Sequence, residues 1–194
     1  MVEDKKTLRR HMRGILASIG DEQRTVSSSS IVEQIGSSML FAQCTHLFAY
    51  MALKQEVDVS GLIDLALRSG RQVALPRCRT DYSLDYHWIV QDEKDWKLFL
   101  EEGPYRLKEP ISLWPKASIQ DNTLILVPAL AFTRSGERLG KGKGYYDRFL
   151  SECTERCIKL GVAFETQIVP ALPVHPHDTK VDAIVTEEGF IYCV

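Results

Sequence analysis

Residues 123–148 read Thr123-Leu-Ile-Leu-Val-Pro128-Ala-Leu-Ala-Phe132-Thr-Arg134-Ser-Gly136-Glu-Arg138-Leu-Gly140-Lys141-Gly142-Lys143-Gly144-Tyr145-Tyr146-Asp147-Arg148. A short apolar run of strand length leads into a polar loop and then into a helical pattern. Glycines at alternate positions 140, 142 and 144 let successive backbone N–H groups turn inward around an anion. The helix that follows would present its positive end to the same point. Arg138, Lys141 and Lys143 add full charges, which together suit a polyphosphate. The spacing is not that of a Walker loop, because three residues separate Gly136 from Gly140 and Gly142 follows Lys141. Nor is it the dinucleotide fingerprint, whose third glycine falls one residue later. A flexible surface turn is the plainer alternative, and the mechanical requirements favour an anion-binding loop.

Outward from this loop, strands and helices alternate. Short apolar runs at 45–50, 72–75, 123–127, 159–163 and 182–185 read as buried strands. Residues 59–69 form a helical stripe through Leu62, Ile63, Ala66 and Leu67, ended by Gly70. A further helix is expected over 145–156, and further strands, of unset direction, over 84–90 and 190–194. Upstream, Leu8, Met12, Ile15, Leu16 and Ile19 line one face of a helix that stops at Gly20. Asp21 suits the N-cap of a second helix, with Val26, Ile31, Ile35 and Met39 towards the core and Ser27 to Ser30 on its polar face. The expected fold over 1–194 is a single α/β domain. It has an open, mainly parallel sheet with helices on both faces, a Rossmann-like three-layer arrangement. Ligands of such sheets sit beyond the carboxyl ends of the strands, which points to the loops 52–58, 128–144 and 166–181.

Composition narrows the function. The 194 residues are 44% hydrophobic and 26% charged with a net charge of −2, ordinary globular proportions without the basic surplus of a nucleic-acid binder. The N-terminal stretch lacks the apolar centre of a secretory signal, and no run is long enough to span a bilayer. Cys44, Cys78, Cys153, Cys157 and Cys193 are scattered. Cys153 and Cys157 would stack on one helical face, but no second pair follows at zinc-ligand spacing. Reduced thiols in a reducing, cytoplasmic compartment are expected.

The segment Arg138-Leu-Gly-Lys-Gly-Lys-Gly-Tyr-Tyr-Asp147, preceded by Pro128-Ala-Leu-Ala-Phe132, closely resembles the signature of the 5-formyltetrahydrofolate cyclo-ligases. Ordered satellites extend the likeness along nearly the full chain: Lys5-Lys-Thr-Leu-Arg9, Glu56-Val-Asp58, Leu75-Pro-Arg77, Glu109-Pro110, Gly161-Val-Ala-Phe-Glu165, His177-Asp178 and Val181-Asp182. The chain departs from the family at Lys141, usually arginine, and at Thr133, often aspartate. Lysine keeps the charge but loses the planar fork.

The resemblance implies an ATP- and Mg²⁺-dependent enzyme converting 5-formyltetrahydrofolate, with or without a polyglutamate tail, to 5,10-methenyltetrahydrofolate. The γ-phosphoryl group would go to the formyl oxygen, N10 would close the ring, and ADP and phosphate would leave. It implies that Arg138, Leu139, Gly140, Lys141, Gly142, Lys143, Gly144, Tyr145 and Tyr146 cradle ATP, joined by Lys5 and Arg9, with Lys141 catalytic. Asp147 and Asp178 would face the metal. Met51, Glu56, Tyr105 and the two tyrosines Tyr145 and Tyr146 would meet folate, with Glu56 taking the pterin edge through paired hydrogen bonds. Each has a plain alternative. Lys5 and Arg9 could be a solvated helix end, Asp147 a first-turn acid, Asp178 a turn former, Glu56 a loop acid, and Met51 and Tyr105 ordinary packing. Either tyrosine could flank the formyl group or anchor the helix. His175 and His177 receive no role, and Arg77 or Arg79 would suit a polyglutamate tail. Neither nucleic acid nor membrane is expected as a partner, and a monomer is favoured. Two rivals stand beside this reading. One is a phosphate-binding isomerase or acyl-transferase using Glu56 or Glu137 as base. The other is an RNA-binding module stacking bases on Tyr145 and Tyr146.

Overall fold

The apolar runs assemble into one seven-stranded sheet in the computed structural model, which describes residues 4–90, 95–153, 157–175 and 177–193. In chain order the strands are β1 (His46–Phe48), β2 (Gln72–Cys78), β3 (Leu84–Trp88), β4 (Leu100–Glu102), β5 (Lys108–Pro110) and β6 (Thr123–Pro128). They continue with β7 (Ala131–Phe132), β8 (Arg138–Leu139), β9 (Cys157–Val162), β10 (Ala183–Thr186) and β11 (Gly189–Tyr192). The main sheet runs β11-β10-β9-β6-β1-β2-β3, while β4–β5 and β7–β8 form separate two-stranded ribbons. Strands β10, β9, β6, β1 and β2 are mutually parallel. The edge strands β3 and β11, whose direction the sequence left open, are antiparallel.

The helices are α1 (Lys5–Ser18), α2 (Asp21–Ser37), α3 (Met39–Gln43), α4 (Ser60–Arg68) and α5 (Tyr145–Ser151). Strand β6 shows how they layer. Successive side chains of a strand point to opposite faces, so Leu124 and Leu126 join the core under α1, α2 and α4. Ile125 and Val127 join the opposite core, with Phe149 and Leu150 of α5. Both faces are therefore covered, which explains the unbroken apolar run. The Asp4 carboxylate caps α1 through the Lys6 and Thr7 amides. Leu8, Met12 and Leu16 are buried beneath it, each stabilising the fold by about 2 kcal/mol.

Several local expectations are corrected. Gly20, not Asp21, is the N-cap of α2, and Asp21 is its first helical residue. Val26 and Met39 are exposed, whereas Ser27 and Ser28 are buried. The inward stripe is Ser27, Ile31 and Ile35, at spacings of four, and Met39 lies in α3 beyond a break at Ser38. Ser28 is inward because its hydroxyl accepts the Asp58 amide at 3.1 Å. The last helix ends at Ser151, and Cys157 opens β9 instead of sharing a helical face with Cys153. Residues 154–156 of the expected helix, and Val194 of the expected last strand, lie outside the described residues. Among the described residues no helix is long and apolar enough to cross a membrane.

The topology also sets the position of a crevice. From β1 the chain moves to β2 on one side and later enters β6 on the other. The connections diverge at the carboxyl ends of β1 and β6, where open sheets bind ligands.

Candidate functional site

A cleft of about 350 Å³ opens at that point, between the loop after β1, the end of β2, the β4–β5 ribbon and the β8–α5 loop. The last of these is braced from below. Glu137 accepts hydrogen bonds from the Ser135 hydroxyl at 2.6 Å and from the Thr133 hydroxyl, closing the β7–β8 turn. Ser135, then Thr133, hold its carboxyl down at about 2. Thr133, where the family often has aspartate, thus works within the hairpin. Buried Gln167 donates to the Ala129 carbonyl at 2.7 Å and fixes the stretch just after β6.

The glycine loop has the conformation its spacing requires. Gly142 has φ +103° and Gly144 φ +75°, values that side-chain-bearing residues rarely adopt. Among the described residues, the N–H groups of Gly140, Lys141, Gly142, Lys143 and Gly144 donate to no acceptor. A row of such donors beside cations is an anion-binding concavity.

The charged side chains around it form three pairs. Lys141 Nζ lies 2.5 Å from Glu56 Oε1, and Glu56 Oε2 accepts the Leu53 amide at 2.8 Å. Lys5 Nζ lies 2.6 Å from Asp178 Oδ2, which also accepts the His175 amide at 2.7 Å. Although burial opposes it, the Lys5 and His175 contacts hold the Asp178 carboxyl below its usual range. Arg138 pairs with Asp147, and its guanidinium lies 5.9 Å from the Tyr146 ring centre. Only 3% of the Arg138 side chain is exposed, and its Nε is buried without a hydrogen-bond partner among the described residues. Burial pushes its pKa down, while Asp147, then Tyr146 and Asp178, push it back up.

Met51, Glu56, Arg138, Gly140, Lys141, Lys143, Gly144, Tyr145, Tyr146 and Asp147 all line the cleft. Arg9 joins from α1, donating from Nε to the Gly140 carbonyl at 3.0 Å with its guanidinium against Gly142. Lys5 and Asp178 stand as a pair whose carboxylate reaches Arg138 electrostatically. Leu139 is buried and its carbonyl is taken by the Leu130 amide at 2.8 Å. Tyr145 donates to the Arg79 carbonyl at 3.3 Å and meets Tyr82 edge-on, 5.8 Å between centres. Burial drives the Tyr146 phenol well above its ordinary range. Tyr105 stands in the turn Pro104–Arg106, and its side chain lies outside the described residues. His175 and His177 are exposed.

Among the cleft residues that received no role from the sequence, Glu109 and Cys78 form a pair. Glu109 is buried and accepts the Cys78 amide at 2.9 Å. Burial first, then Glu109, pushes the Cys78 thiol up to about 12. Gly103 permits this packing, since a Cβ there would lie 2.2 Å from the Glu109 carboxyl carbon. The pair Glu109-Pro110 was a visible signal, but its inward direction depends on the β4–β5 ribbon. Arg77 and Arg79 are engaged elsewhere, with Glu101 at 2.5 Å and Asp85 at 2.6 Å, while exposed Lys108 lines the cleft.

The rivals fare poorly against this geometry. Glu137, held ionised by its own hairpin and outside the cleft lining, makes a poor base. Tyr82 meets Tyr145 edge-on and Arg138 lies over the Tyr146 ring, so the two tyrosines do not form an open stacking platform.

An open, mainly parallel sheet with a donor-rich, cation-lined cleft at its switch point is the layout of an α/β ligand-binding fold suited to an anion. The model of the 5-formyltetrahydrofolate cyclo-ligase family matches residues 1–187. A probable 5-formyltetrahydrofolate cyclo-ligase of Schizosaccharomyces pombe is 31% identical, over 96% of this chain and 97% of that protein. The 5-formyltetrahydrofolate cyclo-ligase of Saccharomyces cerevisiae is 27% identical, over 97% of each. The solution structure of Aquifex aeolicus 5,10-methenyltetrahydrofolate synthetase superposes with a TM-score of 0.83 at 28% identity, covering 97% of this chain and 92% of that one. This chain belongs to the 5-formyltetrahydrofolate cyclo-ligase family, and it is an enzyme of the ligase class acting on a folate.

Proposed function

We propose that this enzyme closes 5-formyltetrahydrofolate to 5,10-methenyltetrahydrofolate at the expense of ATP. The observation that carries the reading is the run of acceptor-free amides from Gly140 to Gly144, ringed by Arg9, Arg138, Lys141 and Lys143. Such a cradle suits a triphosphate and exceeds what a folate carboxylate would need. The chemistry explains the demand. N10 attacks the formyl carbon, and the formyl oxygen must leave, which it does poorly as hydroxide. Transfer of the γ-phosphoryl group to that oxygen releases ADP. N10 then forms its bond to carbon, its proton departs, and the C–O bond breaks to give inorganic phosphate and the methenyl bridge.

The residues supply positioning and charge. Lys141 sits between folate side and phosphate side and would face the moving phosphoryl group. Arg138, fixed by burial, would hold a phosphate through its guanidinium. Arg9 and Lys5 would close over the nucleotide from α1. Glu56 would take the aminopyrimidine edge while Met51 packs against the ring system.

Asp147, in the cleft lining, and Asp178, paired with Lys5, are oxygen donors of the kind a hard divalent cation takes, and they would hold it. Among the described residues no three carboxylate, histidine or cysteine side chains form a ready cage, and Mg²⁺ held by one or two carboxylates plus phosphate oxygens needs none. Bound there, the cation would neutralise charge on the β- and γ-phosphates. Lys108 at the rim, in place of Arg77 or Arg79, would meet a polyglutamate tail. A monomer belongs to the same reading, as does a cytoplasmic location, whose reducing conditions suit five cysteines in thiol form.

The test mixes purified protein with 5-formyltetrahydrofolate, Mg²⁺ and ATP and follows the methenyl chromophore. Product should form only when ATP is present. Product without ATP, or none with it, would overturn the proposal.

A further inference from the structure

The three ion pairs of the cleft differ in what they span. Lys5–Asp178 and Arg138–Asp147 each join two groups on the nucleotide side, so ATP with its metal would exchange their partners within one binding event. Glu56–Lys141 joins the group assigned to folate with a cation assigned to phosphate, across 85 positions of sequence. Neither can serve its own ligand fully while the 2.5 Å contact stands. Glu56 has one oxygen on Lys141 and the other on the Leu53 amide, and its side chain is only 11% exposed. A two-point contact with an aminopyrimidine competes with the lysine for that carboxylate. Lys141 is freer to move. Its side chain is 40% exposed and it stands between Gly140 and Gly142 in the glycine loop.

We infer that the Glu56–Lys141 pair is a latch coupling the two substrates: folate takes Glu56, and the ammonium it releases turns to the phosphates. This rests on the function proposed above. Its consequence is heterotropic cooperativity. With folate absent, a nucleotide must break the ion pair itself and leave Glu56 with the Leu53 amide alone. With folate bound that cost has already been met. Thermodynamic linkage makes the effect reciprocal, so nucleotide favours folate by the same factor. Glu56 is therefore a positioning residue for the nucleotide, acting through Lys141, besides its contact with folate.

Calorimetric titration of the full-length protein with the Mg²⁺ complex of a β,γ-methylene ATP analogue tests this, with and without saturating 5-formyltetrahydrofolate. In the wild type, folate should tighten the analogue about 3- to 5-fold, the full worth of a partly exposed ion pair. Glu56→Gln keeps the shape and an acceptor for the Leu53 amide but removes the charge. It should bind the analogue several-fold tighter than wild type in the absence of folate, a gain that a merely structural role would not produce. Lys141→Met provides the converse arm, binding 5-formyltetrahydrofolate tighter than wild type without nucleotide. Equal wild-type affinities with and without folate would refute the latch. So would a Glu56→Gln protein that binds the analogue no tighter than wild type, or a Lys141→Met protein with unimproved folate binding. A wild type that turns over without coupling would sink only the latch, whereas a wild type that forms no methenyl product would sink the function beneath it.

Discussion

Replacing Lys141 with alanine separates catalysis from stability. The ion pair lost is short, 2.5 Å, but 40% of the lysine side chain faces solvent, so the pair is worth about 0–1 kcal/mol to the fold. Glu56 keeps its hydrogen bond from the Leu53 amide, so no carboxylate is left without a donor. For a chain of 194 residues that corresponds to a fall in Tm of about 4 °C at most. Turnover should respond differently. A charge-assisted donor aimed at a developing negative charge contributes on the order of 10²–10³ in rate. Lys141→Ala should therefore lower kcat by about that factor while thermal unfolding by circular dichroism stays nearly unchanged. Lys141→Arg, which restores the side chain usual in the family, should keep most of the activity. Steady-state production of the methenyl chromophore, read beside the melting curve, checks both. An alanine variant with wild-type kcat would show that the phosphoryl group is elsewhere. A fall in Tm beyond 10 °C would show that Lys141 is a structural residue.

Two further outcomes are expected. Gly161→Ala should lower Tm by about 3–10 °C, from about 1–3 kcal/mol of overpacking. The new Cβ would meet Phe132 Cε1 at 2.8 Å and Ile184 Cγ1 at 3.2 Å beneath the loop, and an unchanged melting curve would refute that packing. Glu137, with its folded pKa depressed to about 2 from 4.5, supports the β7–β8 hairpin fully above pH 4.5 and loses that contribution as pH falls through 2. A carboxyl-carbon NMR titration should give a midpoint near 2, and one near 4.5 would mean that the Ser135 and Thr133 hydrogen bonds are absent in solution.

Periodicity and glycine spacing made much of this molecule legible. The run that became β6 is continuous in apolar residues because both faces of the strand are covered, and that continuity is a local property of the chain. The alternating glycines likewise gave the loop its left-handed turns at Gly142 and Gly144. What escaped depends on distant partners. Val26 looked like a core residue, yet the inward position belongs to Ser27 and Ser28, and the Asp58 amide that rewards Ser28 lies 30 positions away. Glu109 is buried because the Cys78 amide receives it and Gly103 makes room. The Lys5–Asp178 and Glu56–Lys141 pairs were beyond reach for the same reason. Each residue was singled out for a ligand, and nothing in the sequence could show that they partner one another.

The span of those contacts bears on how the protein comes into being. Arg9 reaches Gly140 across 131 positions, Lys5 reaches Asp178 across 173, and Glu56 reaches Lys141 across 85. A nascent chain still missing Asp178 can pair β1 with β2 and β6, yet its first helix has nothing to anchor Lys5. The Lys5–Asp178 pair beside the cleft is thus assembled last, after nearly all of the polypeptide has left the ribosome. Shortened translation products would carry much of the sheet without a complete catalytic centre.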